Sequence, residues 1–183
     1  MIKLEEIERV YSTAHRLYTP DEVEAALVQM AKAIVRDLGA ANPVVLCVLN
    51  GGVIPTGKLL PKLSFPLELD SIHATRYRGQ TEGAQLHWLY EPQIELNGRV
   101  VLLVDDVLDH GVTLAAIRDW CLKGGAHEVK IAVLVNKRLV ASKPCRADYI
   151  GLETDDRYLF GYGMDYKGYL RNAPGIFAVQ EGK

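Results

Sequence analysis

Apolar and polar positions alternate along this chain with two different periods. Val23, Ala26, Leu27, Met30, Ile34 and Leu38 recur at helical spacing. Thr19 can cap that helix, Pro20 suits its first position and Glu22 stands three residues after the cap. Gly39 can end it. Pro43 to Leu49 is a continuous apolar run between Asn42-Pro43 and Asn50-Gly51-Gly52, which predicts a buried strand. Pro55 to Leu63 can form a short helix, and the alternation from Leu67 to Ile72 predicts a half-exposed strand. Arg76 to Ala84 is polar with two glycines and reads as a mobile loop. Leu86 to Tyr90 reads as a returning strand, so the two strands would form an antiparallel arm. The strongest strand signal is Arg99 to Asp105, with Val100, Val101, Leu102, Leu103 and Val104 uninterrupted. Thr113 to Leu122 is again helical, stopped by Gly124-Gly125, and Val129 to Val135 is a further buried strand. Strand, helix and strand in that order predict a right-handed βαβ unit.

From Ala147 onward the strand-like pieces are shorter: Tyr149 to Leu152, Leu159 to Tyr162 and Ile176 to Val179. The pattern predicts an α/β fold with a parallel central sheet flanked by helices and a small hood from the terminal segments. The expected layout is a single domain over 1–183, with a core of about 20–140, a mobile loop at 76–84 and a hood from 1–18 and 147–183.

Composition narrows the function classes. With 183 residues, 49% of them hydrophobic, the chain can bury a core without staples. A formal net charge of −2 argues against a general nucleic-acid or membrane-surface binder. Cys47, Cys121 and Cys145 are widely spaced, which argues against a disulfide framework or zinc site; Cys47 and Cys121 read as small core residues. The N-terminus is charged from its first residues, and no apolar run approaches membrane-spanning length. The expected location is the cytoplasm.

Candidate chemistry concentrates in residues 100–114. A buried parallel strand leads into Asp105 and Asp106, Asp109 follows after one turn, and Gly111 and Thr113 open a helix. Ligands of open parallel sheets sit outside the carboxyl ends of the strands. A helix N-terminus presents unpaired N–H groups suited to a phosphate, and Gly111 allows close backbone approach. Three acids beside a phosphate cradle make electrostatic sense only if they face something else, such as ribose hydroxyls and a divalent cation. A plain strand-to-helix turn with solvated acids accounts for one Asp, and less well for three with Gly and Thr. No G-K-[ST] is present, so this is not a P-loop.

Val101 to Leu114 resembles the phosphoribosyl-pyrophosphate motif of the type I phosphoribosyltransferases. From about Val44 onward the chain is similar to the hypoxanthine-guanine branch, through Leu49-Asn50-Gly51-Gly52, Asn136-Lys137-Arg138, and Tyr158 to Tyr166 followed by Arg171. The resemblance implies the type I phosphoribosyltransferase fold and Mg2+-dependent transfer of ribose 5-phosphate from phosphoribosyl pyrophosphate to N9 of a 6-oxopurine, in purine salvage. Hypoxanthine, and guanine with it, would give IMP and GMP. Asp105 and Asp106 would bind ribose hydroxyls with magnesium bridging, and Asp109 would be the catalytic acid or base at N7. Asp109, His110, Gly111, Val112 and Thr113 would hold the 5′-phosphate. Asn50 and Gly51, after a cis Leu49–Asn50 bond, would meet pyrophosphate together with Arg171. Lys137 would donate to the 6-oxo group, Tyr158 would stack on the purine and Leu159 would meet its edge. Asp165 would read the base and ligate a second magnesium. A homodimer or homotetramer is also implied.

Each tail residue has a plainer reading: Lys137 and Arg138 as a solvated strand end, Tyr158 as core, Asp165 and Arg171 as a surface ion pair, Gly51-Gly52 as a turn. Their joint order and spacing distinguish them. Four positions depart from the family pattern. Asn50 stands where lysine is common, His110 where threonine is common, Asp105 where glutamate is commoner, and Arg76-Tyr77 where Ser-Tyr is usual. Tyr77 would close over the site, and Arg76 or Arg78 would supply the charge missing at Asn50. Two alternatives use the same fold: a xanthine-preferring enzyme, and an RNA-binding regulator that senses phosphoribosyl pyrophosphate. The second would need a basic face, which the charge balance disfavours.

Overall fold

Six strands build the main sheet of the computed structural model, which describes residues 3–76 and 86–180, the side chains of Arg76 and Leu86 excepted. In chain order they are β2 (Val44–Val48), β3 (Glu68–Arg76), β4 (Leu86–Tyr90), β5 (Val100–Leu108), β6 (Glu128–Arg138) and β7 (Tyr149–Asp155). Their spatial order is β4-β3-β2-β5-β6-β7, parallel throughout except for β4. A second, antiparallel sheet joins β1 (His15–Tyr18), β9 (Ile176–Ala178) and β8 (Leu159–Phe160) in that order. The α/β class with a largely parallel sheet is the one the apolar pattern predicts.

Helices cover both faces because the pleat sends alternate apolar side chains to opposite sides. Val45, Leu102, Val104 and Leu134 pack under helix α2 (Pro20–Leu38), through Val23, Leu27, Met30 and Ile34. Leu46, Leu103, Ile131 and Val133 face the other way, onto α4 (Val112–Lys123), through Leu114, Ile117 and Cys121. Thr19 and Glu22 form the expected capping box at the start of α2. Against α4, Trp88 of β4 lies on Trp120, with ring centroids 5.6 Å apart. Cys47, Cys121 and Cys145 are all buried and free.

The structure departs from the sequence expectation at several boundaries. Tyr149–Asp155 belongs to the main sheet, paired with β6 along most of its length, so the hood does not begin at 147. β3 is part of the sheet through β2, and only its end pairs with β4, so the arm is an outgrowth of the sheet edge. The 55–63 segment is helix α3 (Val53–Leu59) followed by a 3-10 turn at Leu60–Lys62. An N-terminal helix, α1 (Leu4–Thr13), buries only Ile7 and Val10 and adds to the hood side. The 76–84 loop, Tyr77 and Arg78 included, lies outside the described residues, as does the Arg76 side chain.

Candidate active site

The chain passes from β2 leftward to β3 and later returns to place β5 on the other side of β2. That reversal opens a crevice at the carboxyl ends of β2 and β5, the usual ligand position in such sheets. β2 stops pairing with β5 at Cys47↔Val104, while β5 continues beside β6 as far as Leu108↔Asn136. Asp105 and Asp106 therefore sit within a strand that has outrun one neighbour, rather than at its end. A cavity of about 510 Å³ occupies this place. Its walls include Asn50, Gly51, Asp105, Asp106, Asp109, His110, Gly111, Val112, Thr113, Lys137, Tyr158, Leu159, Asp165 and Arg171. Val107 also lines it; the sequence reading passed over this residue, although the alternation along β5 points it the same way as Asp105 and Asp109.

Two acids lie side by side on the cavity floor. Asp105 Oδ1 accepts from the Asp106 amide at 2.9 Å, and Asp106 Oδ1 accepts from the Val107 amide at 2.7 Å. Burial, and then the adjacent Asp106 charge, push the Asp105 carboxyl well above its usual range; burial pushes Asp106 up as well. Among the described residues the cation paired with these acids is Arg171, whose Nη1 stands 4.0 Å from Asp106 Oδ2. The same guanidinium donates to the Gly163 carbonyl at 2.6 Å and pairs with Asp165 at 2.7 Å.

Such a pair of hard, under-compensated oxygens fits a magnesium ion, which is bound through one or two carboxylates with the remaining positions left to water or substrate oxygens. Among the described residues no group of three or more His, Cys, Asp or Glu could hold a metal without such help. The raised carboxyls also set a stability expectation. A carboxyl whose folded pKa lies above its unfolded value of about 3.8 weakens the free protein as pH rises through the folded value. Asp105→Asn keeps the oxygen that accepts from Asp106. It is expected to raise the melting temperature of the metal-free protein at pH 7.5 by a few degrees, or roughly 1–2 kcal/mol, with the gain shrinking on acidification. Equal or lower melting at pH 7.5 would count against the repulsion described.

The glycines around Asp106 are spatial requirements. A Cβ on Gly51 would overlap the Asp106 carboxylate, and one on Gly163 would overlap the Gly51 carbonyl. The Leu49–Asn50 bond is cis, as the resemblance implies. At the other side Gly111 has φ +75° and caps α4. Leu108, Asp109, His110 and Gly111 thus turn the chain so that Val112, Thr113 and Leu114, the first turn of α4, line the cavity, and the unpaired N–H groups of a helix start suit a phosphate. His110 is exposed, its Nε2 3.9 Å from Asp109 Oδ1.

Lys137, buried at the end of β6, spans Asp109 (3.0 Å) and Asp156 (3.4 Å). It is not a solvated strand end. Asp109 Oδ1 is itself buried and lacks a hydrogen-bond partner within the described residues. Tyr158 is exposed and meets Tyr166 edge-on at 5.6 Å, so its face is not consumed by the core. Leu159 has its side chain in the core, which leaves its main chain to the cavity. Asp165 and Arg171 do form an ion pair, as the plainer reading has it, but at the cavity wall rather than on an outer face.

Residues 14–167 match the model of the phosphoribosyl transferase domain. A hypoxanthine-guanine-xanthine phosphoribosyltransferase of Tritrichomonas foetus is 29% identical over 97% of this chain and 94% of its own. A hypoxanthine-guanine phosphoribosyltransferase of Streptococcus pneumoniae strain R6 is 29% identical over 90% of this chain and 92% of its own. A solved structure of a hypoxanthine-guanine-xanthine phosphoribosyltransferase superposes with a TM-score of 0.82 at 28% identity, covering 91% of this chain and 97% of that one.

Proposed function

The chain belongs to the phosphoribosyl transferase domain family, and from that premise we propose that it transfers ribose 5-phosphate from phosphoribosyl pyrophosphate to N9 of a 6-oxopurine, hypoxanthine foremost and guanine with it. The observation that carries this reading is the convergence of the Asp105–Asp106 pair, the N-terminus of α4 and the Lys137–Asp109 pair on one cavity. The relatives' names support the substrate class.

In the reaction the bond from C1′ to the pyrophosphate oxygen breaks, the bond from N9 to C1′ forms, and the purine gives up a proton. The amides at the start of α4 and the Thr113 hydroxyl hold the 5′-phosphate. Asp105 and Asp106 accept from the ribose hydroxyls. Arg171 and the main chain at Asn50-Gly51 meet the departing pyrophosphate, where negative charge develops. Magnesium, when bound, would neutralise part of that charge through Asp105, Asp106 and, in a second position, Asp165. Lys137 can only donate, so it selects a 6-oxo over a 6-amino group. Asp109 holds the N7 proton, Tyr158 covers one purine face and Val107 underlies the other side.

The test is turnover with phosphoribosyl pyrophosphate, Mg2+ and a panel of purines. Hypoxanthine and guanine are expected to react and adenine not. Activity is expected to vanish on removal of the divalent ion with a chelator and return with Mg2+. Adenine as the preferred base, or full activity after chelation, contradicts the reading. The T. foetus relative's name favours including xanthine in the panel. For partners, we propose a homodimer or homotetramer and no role for nucleic acid; among the described residues no helix is long and apolar enough to cross a membrane.

A further inference from the structure

Lys143 has no place in the reaction as described, yet it is held more completely than any other lysine near the cavity. It lies on the loop after β6. Its Nζ donates to the Leu108 carbonyl at 2.8 Å, Asn136 Oδ1 at 2.8 Å and the Lys137 carbonyl at 2.6 Å. An ammonium has three donors, and here each has an acceptor. The stem is half-buried, and burial draws the amine below its usual pKa, with Asp109 the foremost opposing charge.

The position of these acceptors matters more than their number. The β5–β6 ladder ends at Leu108↔Asn136. The next residue on each strand is Asp109 and Lys137, the pair whose side chains meet at 3.0 Å over the cavity. Beyond Leu108 no further ladder pair fixes one strand end against the other. Lys143 bridges that seam, gripping the carbonyl immediately before Asp109 and the carbonyl of Lys137 itself. The same loop supports the phosphate turn: the Cys145 thiol donates to the Gly111 carbonyl at 3.3 Å, and Lys143 Cβ lies 3.6 Å from where a Cβ on Gly111 would stand.

We propose that Lys143 is a positioning residue for the reaction, tying the end of β5 to the end of β6 so that Asp109 and Lys137 meet the purine at a fixed separation. The proposal rests on the purine reading of that pair. A displacement of about 1 Å at reacting groups costs on the order of 100-fold in rate, so a tie that sets their spacing has a kinetic signature. The turn that holds the 5′-phosphate has its own support on this loop, the Cys145 thiol on the Gly111 carbonyl, and Asp105, Asp106, Asn50-Gly51 and Arg171 are not among the hydrogen-bond partners of the Lys143 ammonium.

The test compares Lys143→Met and Lys143→Arg with the wild type for kcat, KM of each substrate and melting temperature. Lys143→Met is expected to lose roughly 10- to 100-fold in kcat and kcat/KM for hypoxanthine, with KM for phosphoribosyl pyrophosphate within about twofold. Lys143→Arg, which retains the charge and donors, is expected to recover most of the loss. Hypoxanthine parameters within twofold of wild type overturn the proposal. So does a loss shared equally by both substrates and unrelieved by arginine, which is what mere loosening of the fold would give. Should Lys143→Met not fold, Asn136→Ala removes one of the three acceptors and decides the matter by the same split between substrates. If the wild type turns over no 6-oxopurine, the purine reading fails separately. Amide exchange then tests the tie alone: Lys143→Met must speed exchange at residues 109–112 and 137–139 by about tenfold or more, and unchanged exchange overturns it.

Discussion

Asp109→Asn is expected to lower kcat for hypoxanthine by about 100- to 1,000-fold while leaving the fold intact. The substitution preserves side-chain volume and one oxygen, so packing around Leu108 and Gly111 has no reason to change. It removes the negative charge that faces Lys137 Nζ at 3.0 Å and, in the proposed reaction, the carboxylate that exchanges the N7 proton. Lys137 keeps Asp156, at 3.4 Å, as its remaining counter-ion, which limits the stability loss. Among the described residues the buried Oδ1 of Asp109 has no hydrogen-bond partner, so in the proposed reaction it can accept from a ring N–H, whereas an amide in that place has one acceptor and two donors to accommodate. Steady-state kinetics with a parallel thermal melt checks the outcome. Turnover within threefold of wild type at unchanged stability would remove Asp109 from the chemistry.

The second large effect is structural. Gly163→Ala is expected to destabilise the protein by roughly 2–4 kcal/mol, a fall in melting temperature of about 5–15 °C, and to abolish transfer. Gly163 has φ +110°, where an L side chain is strained, and its new Cβ would overlap the Gly51 carbonyl and stand 3.2 Å from Asp106 Cβ. The obstacle is backbone on one side and a buried carboxylate on the other, so neither can swing aside. Gly168→Ala is the control. It has φ +88° with nothing within 4 Å of the added carbon, so it carries backbone strain alone, about 1 kcal/mol. A Gly163 variant that melts no lower than the Gly168 variant would show that the contact with Gly51 is not binding.

The parts of this fold readable in the amino-acid order are those whose signal is local. The α2 helix carries its cap, its stripe and its stop between Thr19 and Gly39, and β2, β5 and β6 are marked by unbroken apolar runs. What escaped reading depends on distant chain. β1 forms because His15–Tyr18 meets Ile176–Ala178, more than 150 positions away, and four residues of mixed polarity announce nothing by themselves. α1 does carry Leu4, Ile7 and Val10 at helical spacing, but only the last two are buried, so its apolar stripe is narrow. The apolar run of β5 stops at Val104, whereas the strand continues to Leu108 because β6 goes on pairing with it. The same holds at the cavity. The acids, Gly111 and Thr113 stand out as one motif, and Lys137, Tyr158, Leu159, Asp165 and Arg171 converge on the same walls, whereas Arg138 pairs with Asp155. Gly163 is visible as a glycine but not as the spacer between Gly51 and Asp106. Lys143 is invisible, because two of its three partners are main-chain carbonyls, which any residue type would offer.

The two indoles in contact where β4 meets α4 have a practical use. Trp88 and Trp120 are the protein's two tryptophans, and their rings are 5.6 Å apart, one on the edge strand and one on the helix whose first turn lines the cavity. All of the chain's indole emission therefore arises from a single seam. Its colour and yield form an unlabelled optical readout of how the sheet edge sits against that helix.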